Sequence, residues 1–317
     1  MDLLSDVLTT LRLTGTLYFR TAFTAPWGVQ VPAFENVSRF HFAHRGRCYA
    51  RVAGVDTPVL LEQGDLIIIT KGASHVLCDP VDQSAASLDD VVSQSKFTGE
   101  GALVYGDGGG EKHETQLICG HFAFDQDASH PLIDALPRYL HLRHEEDIPH
   151  AWLDSTLNMI AAETGRGQLG GDLVALKLSE IILAQAIRSH LKIVNDDDLV
   201  LAAFADANIC KALTALHGDP GMAWKVEDLA RVAGLSRTVF ATRFHRLMGM
   251  APLVYLTHWR MQQARRLLVD TSAPIIDIAE KSGYQSEASF SRVFKHHFDL
   301  PPAGYRRARS AAAGSAS

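Results

Sequence analysis

Cysteine is scarce in this chain, with 4 in 317 residues, and that count argues against a disulfide framework. The first eight residues, Met1-Asp2-Leu3-Leu4-Ser5-Asp6-Val7-Leu8, are too short and too acidic for a secretory leader and read as an amphipathic helix. Together these features predict a reduced, cytoplasmic setting. No apolar run approaches the roughly 20 residues of a membrane span, so no membrane partner is expected. The chain also lacks a P-loop, a Rossmann fingerprint and any Ser/His/Asp arrangement with supporting context. Positive charge is in deficit overall, at a net −6, but the deficit is uneven. Residues 220–317 hold 14 Lys and Arg against 7 Asp and Glu, which leaves 16 against 29 for residues 1–219. A basic last third on an acidic body is the footprint of a nucleic-acid-binding module whose remainder is kept off the polyanion.

What that basic third contains is a doubled pattern. Val226, Leu229, Ala230 and Ala233 fall at i, i+3, i+4 and i+7, then Gly234 and Ser236 interrupt, and a second helix runs through Phe240, Phe244 and Leu247. The same order recurs from Ile275 through Ala279, with Gly283, Ser286, and a helix through Phe290, Val293, Phe294 and Phe298. A short amphipathic helix, a Gly turn, a Ser at N-cap position and a second helix are the grammar of a helix-turn-helix. At 100° per residue, Thr238, Thr242 and His245 point away from the Phe face of the first unit, with Ala241 and Arg246 at its edges. Ala288, Arg292, Lys295 and His296 point outward in the second, His297 inward. A helix from Leu253 to Leu268, with Leu253, Leu256, Met261, Ala264, Leu267 and Leu268 on one arc, joins the two. The candidate DNA-contacting residues are Ser236, Arg237, Thr238, Ala241, Thr242, His245 and Arg246, then Ser286, Glu287, Ser289, Arg292 and Lys295.

Residues 210–309 resemble the C-terminal domain of AraC/XylS-type transcriptional regulators. The resemblance rests above all on Pro274-Ile-Ile-Asp-Ile-Ala-Glu-Lys-Ser-Gly-Tyr-Gln-Ser-Glu-Ala-Ser-Phe-Ser-Arg-Val-Phe-Lys295 and on Leu300-Pro301-Pro302-Ala303-Gly304-Tyr305-Arg306. It implies recognition helices beginning near Ser236 and Ser286, and double-stranded promoter or operator DNA as the partner, with RNA polymerase and a second copy of the chain as further ones. The small outward residues Thr238, Ala241 and Thr242 depart from the commoner pattern and leave the first helix's base preference open.

The first two-thirds read differently. Residues 31–81 alternate in short strands punctuated by Gly46, Gly54, Gly64 and Gly72, the signature of an all-β barrel or sandwich. Val81 to Glu114 is polar and Gly-rich and reads as a long, partly mobile loop, followed by a strand from Gln116 to Phe124. Helical patterns then cover Leu132–Leu140, Trp152–Glu163 and Asp172–Leu191, the last a candidate dimer seam or a buried helix. Asn195-Asp196-Asp197-Asp198 reads as a solvated boundary.

The β region resembles the cupin-type sensor domain of one AraC-family branch, through Gly64-Asp65-Leu-Ile-Ile-Ile-Thr70-Lys71-Gly72-Ala73-Ser74-His75, Arg39-Phe40-His41-Phe42, Gly46-Arg47-Cys48-Tyr49 and Cys119-Gly120-His121-Phe122. Cupin enzymes hold a metal with three histidines and a carboxylate. Here Ala43 follows His41 at the alternate position and Arg47 stands where a carboxylate belongs, so the catalytic set is incomplete and no enzyme is expected. His41, His75 and Cys119 lie on segments that should face one lumen, with Cys78 and His121 near in sequence. Three readings stay open for them: core packing, a zinc or other transition-metal ion, or a thiol sensor of oxidants activated by neighbouring imidazolium. His141, His144 and His150 read as surface residues, and Cys210 as packing.

The sequence thus predicts an α+β multidomain regulator. Residues 1–130 form a cupin-like β-barrel sensor, 131–205 a helical connector that could dimerise, 206–309 an all-α double helix-turn-helix domain, and 310–317 a disordered tail. The effector would be a small molecule, a metal or an oxidant. The alternatives are a cupin metalloenzyme fused to a DNA-binding domain and a ligand-independent repressor.

Overall fold

The computed structural model describes residues 2–99, 101–106, 114–143, 155–156, 159–160, 162–163, 169–194 and 198–315. It divides into two compact units, and neither is continuous in sequence. One comprises Leu13–Phe124 and Leu136–His190; the other comprises Met1–Arg12, Asp125–Ala135 and Leu191–Ser317.

The first unit is a jelly-roll of two facing sheets rather than one closed barrel. Its strands are β1 (Thr14–Thr24), β2 (Trp27–Val31), β3 (Val37–Arg45), β4 (Cys48–Val52), β5 (Val59–Leu61), β6 (Leu66–Ile69), β7 (His75–Asp79), β8 (Ala86–Ser87), β9 (Ala102–Gly106), β10 (Glu114–Ala123) and β11 (Tyr139–Leu142). One sheet runs β11-β6-β3-β10-β1-β9 and the other β5-β4-β7-β2-β8. Phe23, Ala43, Ile67, Ile69, Leu117 and Cys119 from the first interdigitate with Trp27, Val29, Ala50, Leu61 and Leu77 from the second to form the core. Strand β6 reads Leu-Ile-Ile-Ile without alternation because all four residues are buried, on both faces of the sheet.

Two sequence expectations fail in this unit. The segment Val81–Glu114 is not a loop throughout: it holds β8, a helix Leu88–Ser95 capped by Ser87, and β9, while residues 107–113 lie outside the described ones. The segment Leu132–Leu140 is not one helix. A single turn, Pro131–Asp134, is followed by β11, which pairs antiparallel with β6 from Tyr139↔Ile69 to Leu142↔Leu66. A strand edge at β6 offered a ladder of backbone partners, and that outweighed the i, i+4 spacing of Leu132, Leu136 and Leu140. Six of the twelve residues of Trp152–Glu163 lie outside the described ones, and the other six are helical. The Gly171–Lys192 helix forms as expected.

The second unit is helical. Helices Val226–Ala233 and Arg237–Met248 make the first helix-turn-helix, and Ile275–Lys281 and Glu287–Phe298 the second. The turns need left-handed backbone, and glycine supplies it at φ 69° for Gly234 and φ 77° for Gly283. Ser236 and Ser286 cap the second helix of each pair by accepting from Val239 N at 3.4 Å and Ser289 N at 3.3 Å. The helix Pro252–Asp270 joins the pairs. Met261, Ala264 and Leu268 on it pack with Ile278, Ala279, Phe290, Phe294 and Tyr305, but Leu253 is exposed. Far more of this helix is buried than its apolar arc predicted, including Tyr255, Trp259, Gln262 and Arg265.

What buries them comes from distant sequence. The N-terminal helix Leu3–Thr10 and residues 125–130, expected in the sensor, belong to this unit, as do residues 131–135, expected in the connector. Arg265 is 1% exposed and donates to the Thr10 carbonyl and to Asp125 Oδ2, each at 3.0 Å. Of the expected disordered tail, residues 310–315 continue a helix that runs Pro302–Ser315, in keeping with the helix propensity of its Ala run, and residues 316–317 lie outside the described ones. No single helix among the described residues is long and apolar enough to cross a membrane.

Candidate functional site

The outward faces of the two helix-turn-helix units can be followed from the inward phenylalanines. Phe240 and Phe244, then Phe290 and Phe294, are fully buried. The helical period therefore turns Arg237, Thr238, Thr242, His245 and Arg246 outward on the first recognition helix, and Glu287, Arg292 and Lys295 outward on the second. All eight are exposed, while Ala241 and Ser289 are half-buried. Some of these side chains have other work. Arg237 pairs with Glu227 of the preceding helix at 2.9 Å. Ser236 and Ser286 spend their hydroxyls on capping, and Ser289 Oγ donates to the Ser286 carbonyl at 2.9 Å. Arg292 and Lys295 have no such internal engagement among the hydrogen bonds and ion pairs of the described residues, and their charged ends stand on the exposed face.

Between the two sheets, three of the five candidate sensor residues meet. Cross-strand register places Cys119 on β10 opposite His41 on β3. Cys119 Sγ lies 3.1 Å from His41 Nδ1, and His41 Nε2 lies 2.8 Å from His75 Nε2. The proton positions follow from the far end. His75 Nδ1 donates to the Ala73 carbonyl at 3.1 Å, so a neutral His75 presents a bare Nε2. His41 must then donate to it through Nε2–H, which leaves Nδ1 to accept the Cys119 S–H. Burial drives every group toward the neutral form: His41 is held well below the usual imidazole range, His75 falls to about 4, and the Cys119 thiol is pushed up to about 12.

That chain bears on the metal and thiolate readings. His41 spends its two ring nitrogens on opposite neighbours, so the donors are strung in a line instead of converging on a point. No group of three or more His, Cys, Asp and Glu among the described residues is arranged to hold an ion, and the residues as placed do not fit one. Nor is His41 an imidazolium that could activate the thiol, since burial disfavours both charges.

Cys78 does not join the chain. It points the other way on β7, with Sγ 3.4 Å from the Val81 carbonyl. His121 lies two residues beyond Cys119, on the same face of β10 and opposite Arg39 in register, and is half-buried. Arg39 is buried with its guanidinium 4.2 Å from the Phe34 ring centroid. Thr21, Phe23, Arg39, His41, Leu117 and Cys119 line a cavity of about 30 Å³, room for a water or two.

His141 is not a surface residue: its Nε2 is 3.1 Å from Asp65 Oδ2, and its side chain is only 13% exposed. His144 and His150 lie outside the described residues. A second histidine group escaped the sequence reading altogether. His130 and His217 are both buried and both meet Tyr255 Oη, at 3.0 and 2.7 Å, while His217 stacks on Trp259 with ring centroids 3.7 Å apart. No local pattern could announce it, because its members come from three distant segments.

Comparison with known proteins agrees with both halves of the geometry. Residues 2–192 match a protein family described as Cupin, and residues 229–308 one described as Helix-turn-helix domain. Over 97% of its length the chain is 35% identical to an AraC-like transcription regulator of Streptomyces lividans, covering 98% of that protein. It is 34% identical to another from Streptomyces antibioticus, over 97% of this chain and 99% of that one. It is 28% identical to the HTH-type transcriptional regulator AlkR of Acinetobacter baylyi, again over 97% and 99%.

Proposed function

Because the chain belongs to the AraC-type transcriptional regulators with an N-terminal cupin domain, we propose that each monomer reads two neighbouring major-groove segments of a promoter, under the control of a small effector held between its sheets. The protein binds double-stranded DNA and is a regulator, not an enzyme. The observation that carries the finer reading is the repetition itself. Two recognition helices, each fixed by a buried Phe pair and a Ser cap, present Thr238, Thr242, His245 and Arg246 on one side and Arg292 and Lys295 on the other. Arg292 is the base reader of the second helix, since a guanidinium can bond guanine at two points; Lys295 contacts phosphate.

Arg292→Ala should weaken binding to a cognate duplex by about 1–3 kcal/mol and to random DNA by less. An equal loss on both makes Arg292 a phosphate contact and refutes the assignment. Footprinting should show two protected segments per monomer, about one helical turn apart; one protected segment refutes the double reader.

The cavity beside Cys119 and His41 marks the lumen as the effector site, which must open from its present volume to admit anything larger than water, with a change in DNA affinity as its output and RNA polymerase as the downstream partner. An affinity that no small molecule changes would favour the ligand-independent repressor. A second reading, homodimerisation, is supported by Leu173, Val174 and Ile181, which are exposed on the Gly171–Lys192 helix. Light scattering at micromolar concentration tests it.

A further inference from the structure

Residues 125–130 read Asp-Gln-Asp-Ala-Ser-His, and nothing in that string marks it as part of a DNA reader. In the structure it runs antiparallel along the Pro252–Asp270 helix. Asp125 Oδ2 accepts from Arg265 at 3.0 Å, the Asp127 carbonyl from Gln262 at 3.5 Å and the Ser129 carbonyl from His258 at 3.4 Å, and His130 Nε2 meets Tyr255 Oη at 3.0 Å. Positions 265, 262, 258 and 255 step back by three or four residues, so they form one stripe on that helix.

The string also reaches past the helix on both sides. Tyr255 Oη is shared with His217 of the Ala207–Gly218 helix, at 2.7 Å, which packs on the first helix of the first reader. The Asp127 carboxylate accepts from Tyr305 Oη at 3.1 Å and pairs with Arg309, both on the Pro302–Ser315 helix behind the second reader. The buried Arg265 cation draws its carboxylate from Asp125, and so from outside residues 206–309. A reader cut to those residues would lose both this counter-charge and the segments that bury the guanidinium.

We propose that residues 125–130 are a splint that fixes the distance and angle between the two recognition helices, and so determines which spacing of groove segments the protein accepts. This rests on the reading that each monomer engages two segments. One helix of 19 residues, about 28 Å long, is the only direct chain link between the two readers, and each reader can roll about such a link unless it is cross-braced. The splint braces it by holding the helix, His217 on one flank and Arg309 on the other.

The test uses the full chain and a duplex selected with it from a random library. Affinity is measured for three forms of that duplex: native spacing, the spacer lengthened by one base pair, and the second segment scrambled. Wild-type protein should prefer native over lengthened spacing by about tenfold. Asp127→Ala should keep wild-type affinity for the scrambled form while the native-to-lengthened ratio falls roughly two- to fivefold, the scale of one partly exposed ion pair. Arg309→Ala breaks the same contact from the other side and should give the same shift. An unchanged ratio in both variants overturns the splint. So does an equal loss on all three duplexes, which marks a damaged reader rather than lost spacing. If wild-type protein binds the native and scrambled forms alike, the two-segment reading fails and the splint with it.

Discussion

Acid should loosen the DNA-binding unit at its buried imidazoles, and His217 is the one a substitution can isolate. Leu132 N donates to His130 Nδ1 at 3.2 Å, so His130 carries its proton on Nε2 and donates to Tyr255 Oη. Tyr255 must then donate to His217 Nε2, which is therefore bare in the neutral ring. Burial pushes the His217 pKa down to about 3 and holds His130 well below its usual range. An unfolded histidine titrates near 6.5, so below that pH the unfolded chain binds a proton that the folded one refuses. The stabilisation is fully present above about pH 6.5, shrinks as pH falls, and is lost completely only near pH 3. His217 alone contributes a slope of about 1.4 kcal/mol per pH unit, or about 2 kcal/mol by pH 5, and His130 adds its own slope to wild type and variant alike. His217→Phe keeps the stack on Trp259 but removes the titration, and it strands the Tyr255 hydroxyl at a cost of about 1–3 kcal/mol. The variant should thus be the less stable protein at pH 7.5 and the more stable one in acid, with the curves crossing between about pH 6 and 4. Amide hydrogen exchange of Ala207–Gly218 in the full chain, corrected for intrinsic rates, reads the local opening free energy. Parallel pH dependences for the two proteins would refute the reasoning.

Two further outcomes are expected. Iodoacetamide at pH 7.5 should label Cys210 first, because Cys48, Cys78 and Cys119 are buried and burial raises the thiols of all three, Cys119 to about 12; peptide mass spectrometry that finds Cys119 labelled as fast as Cys210 would contradict the neutral chain. Phe290→Ala should cost about 3–5 kcal/mol in urea unfolding, since Phe290 is fully buried between Tyr284 and Phe294; a loss below about 1 kcal/mol would mean that the second reader's core does not depend on it.

How much of this was legible depends on the range of the forces involved. The readers could be seen in the sequence because each is local: helical period, Gly turn and Ser cap all act within about twenty residues, and the chain supplies them twice. The meeting of His41, His75 and Cys119 was legible through strand alternation and the cupin-like spacing. Its chemistry was not, because protonation depends on desolvation, and desolvation depends on what the opposite sheet buries.

The misreadings have the same origin. Strand β8 is two residues long and is held by backbone pairing with β2, so it carries no side-chain period to detect. Strand β11 wears a helical spacing that its partner β6 overrode.

By itself, the sequence determined the identity and repetition of the elements and which faces turn inward, because propensity, capping and hydrophobic period are properties of neighbouring residues. Only the tertiary structure decided that Asp125, Asp127 and His130 pack in the unit that holds the readers, that Arg265 is a buried cation, and that a thiol beside two histidines is desolvated. Each of these is set by partners more than thirty residues away in sequence, whose approach removes water from the group and leaves a single hydrogen-bonding arrangement to satisfy it.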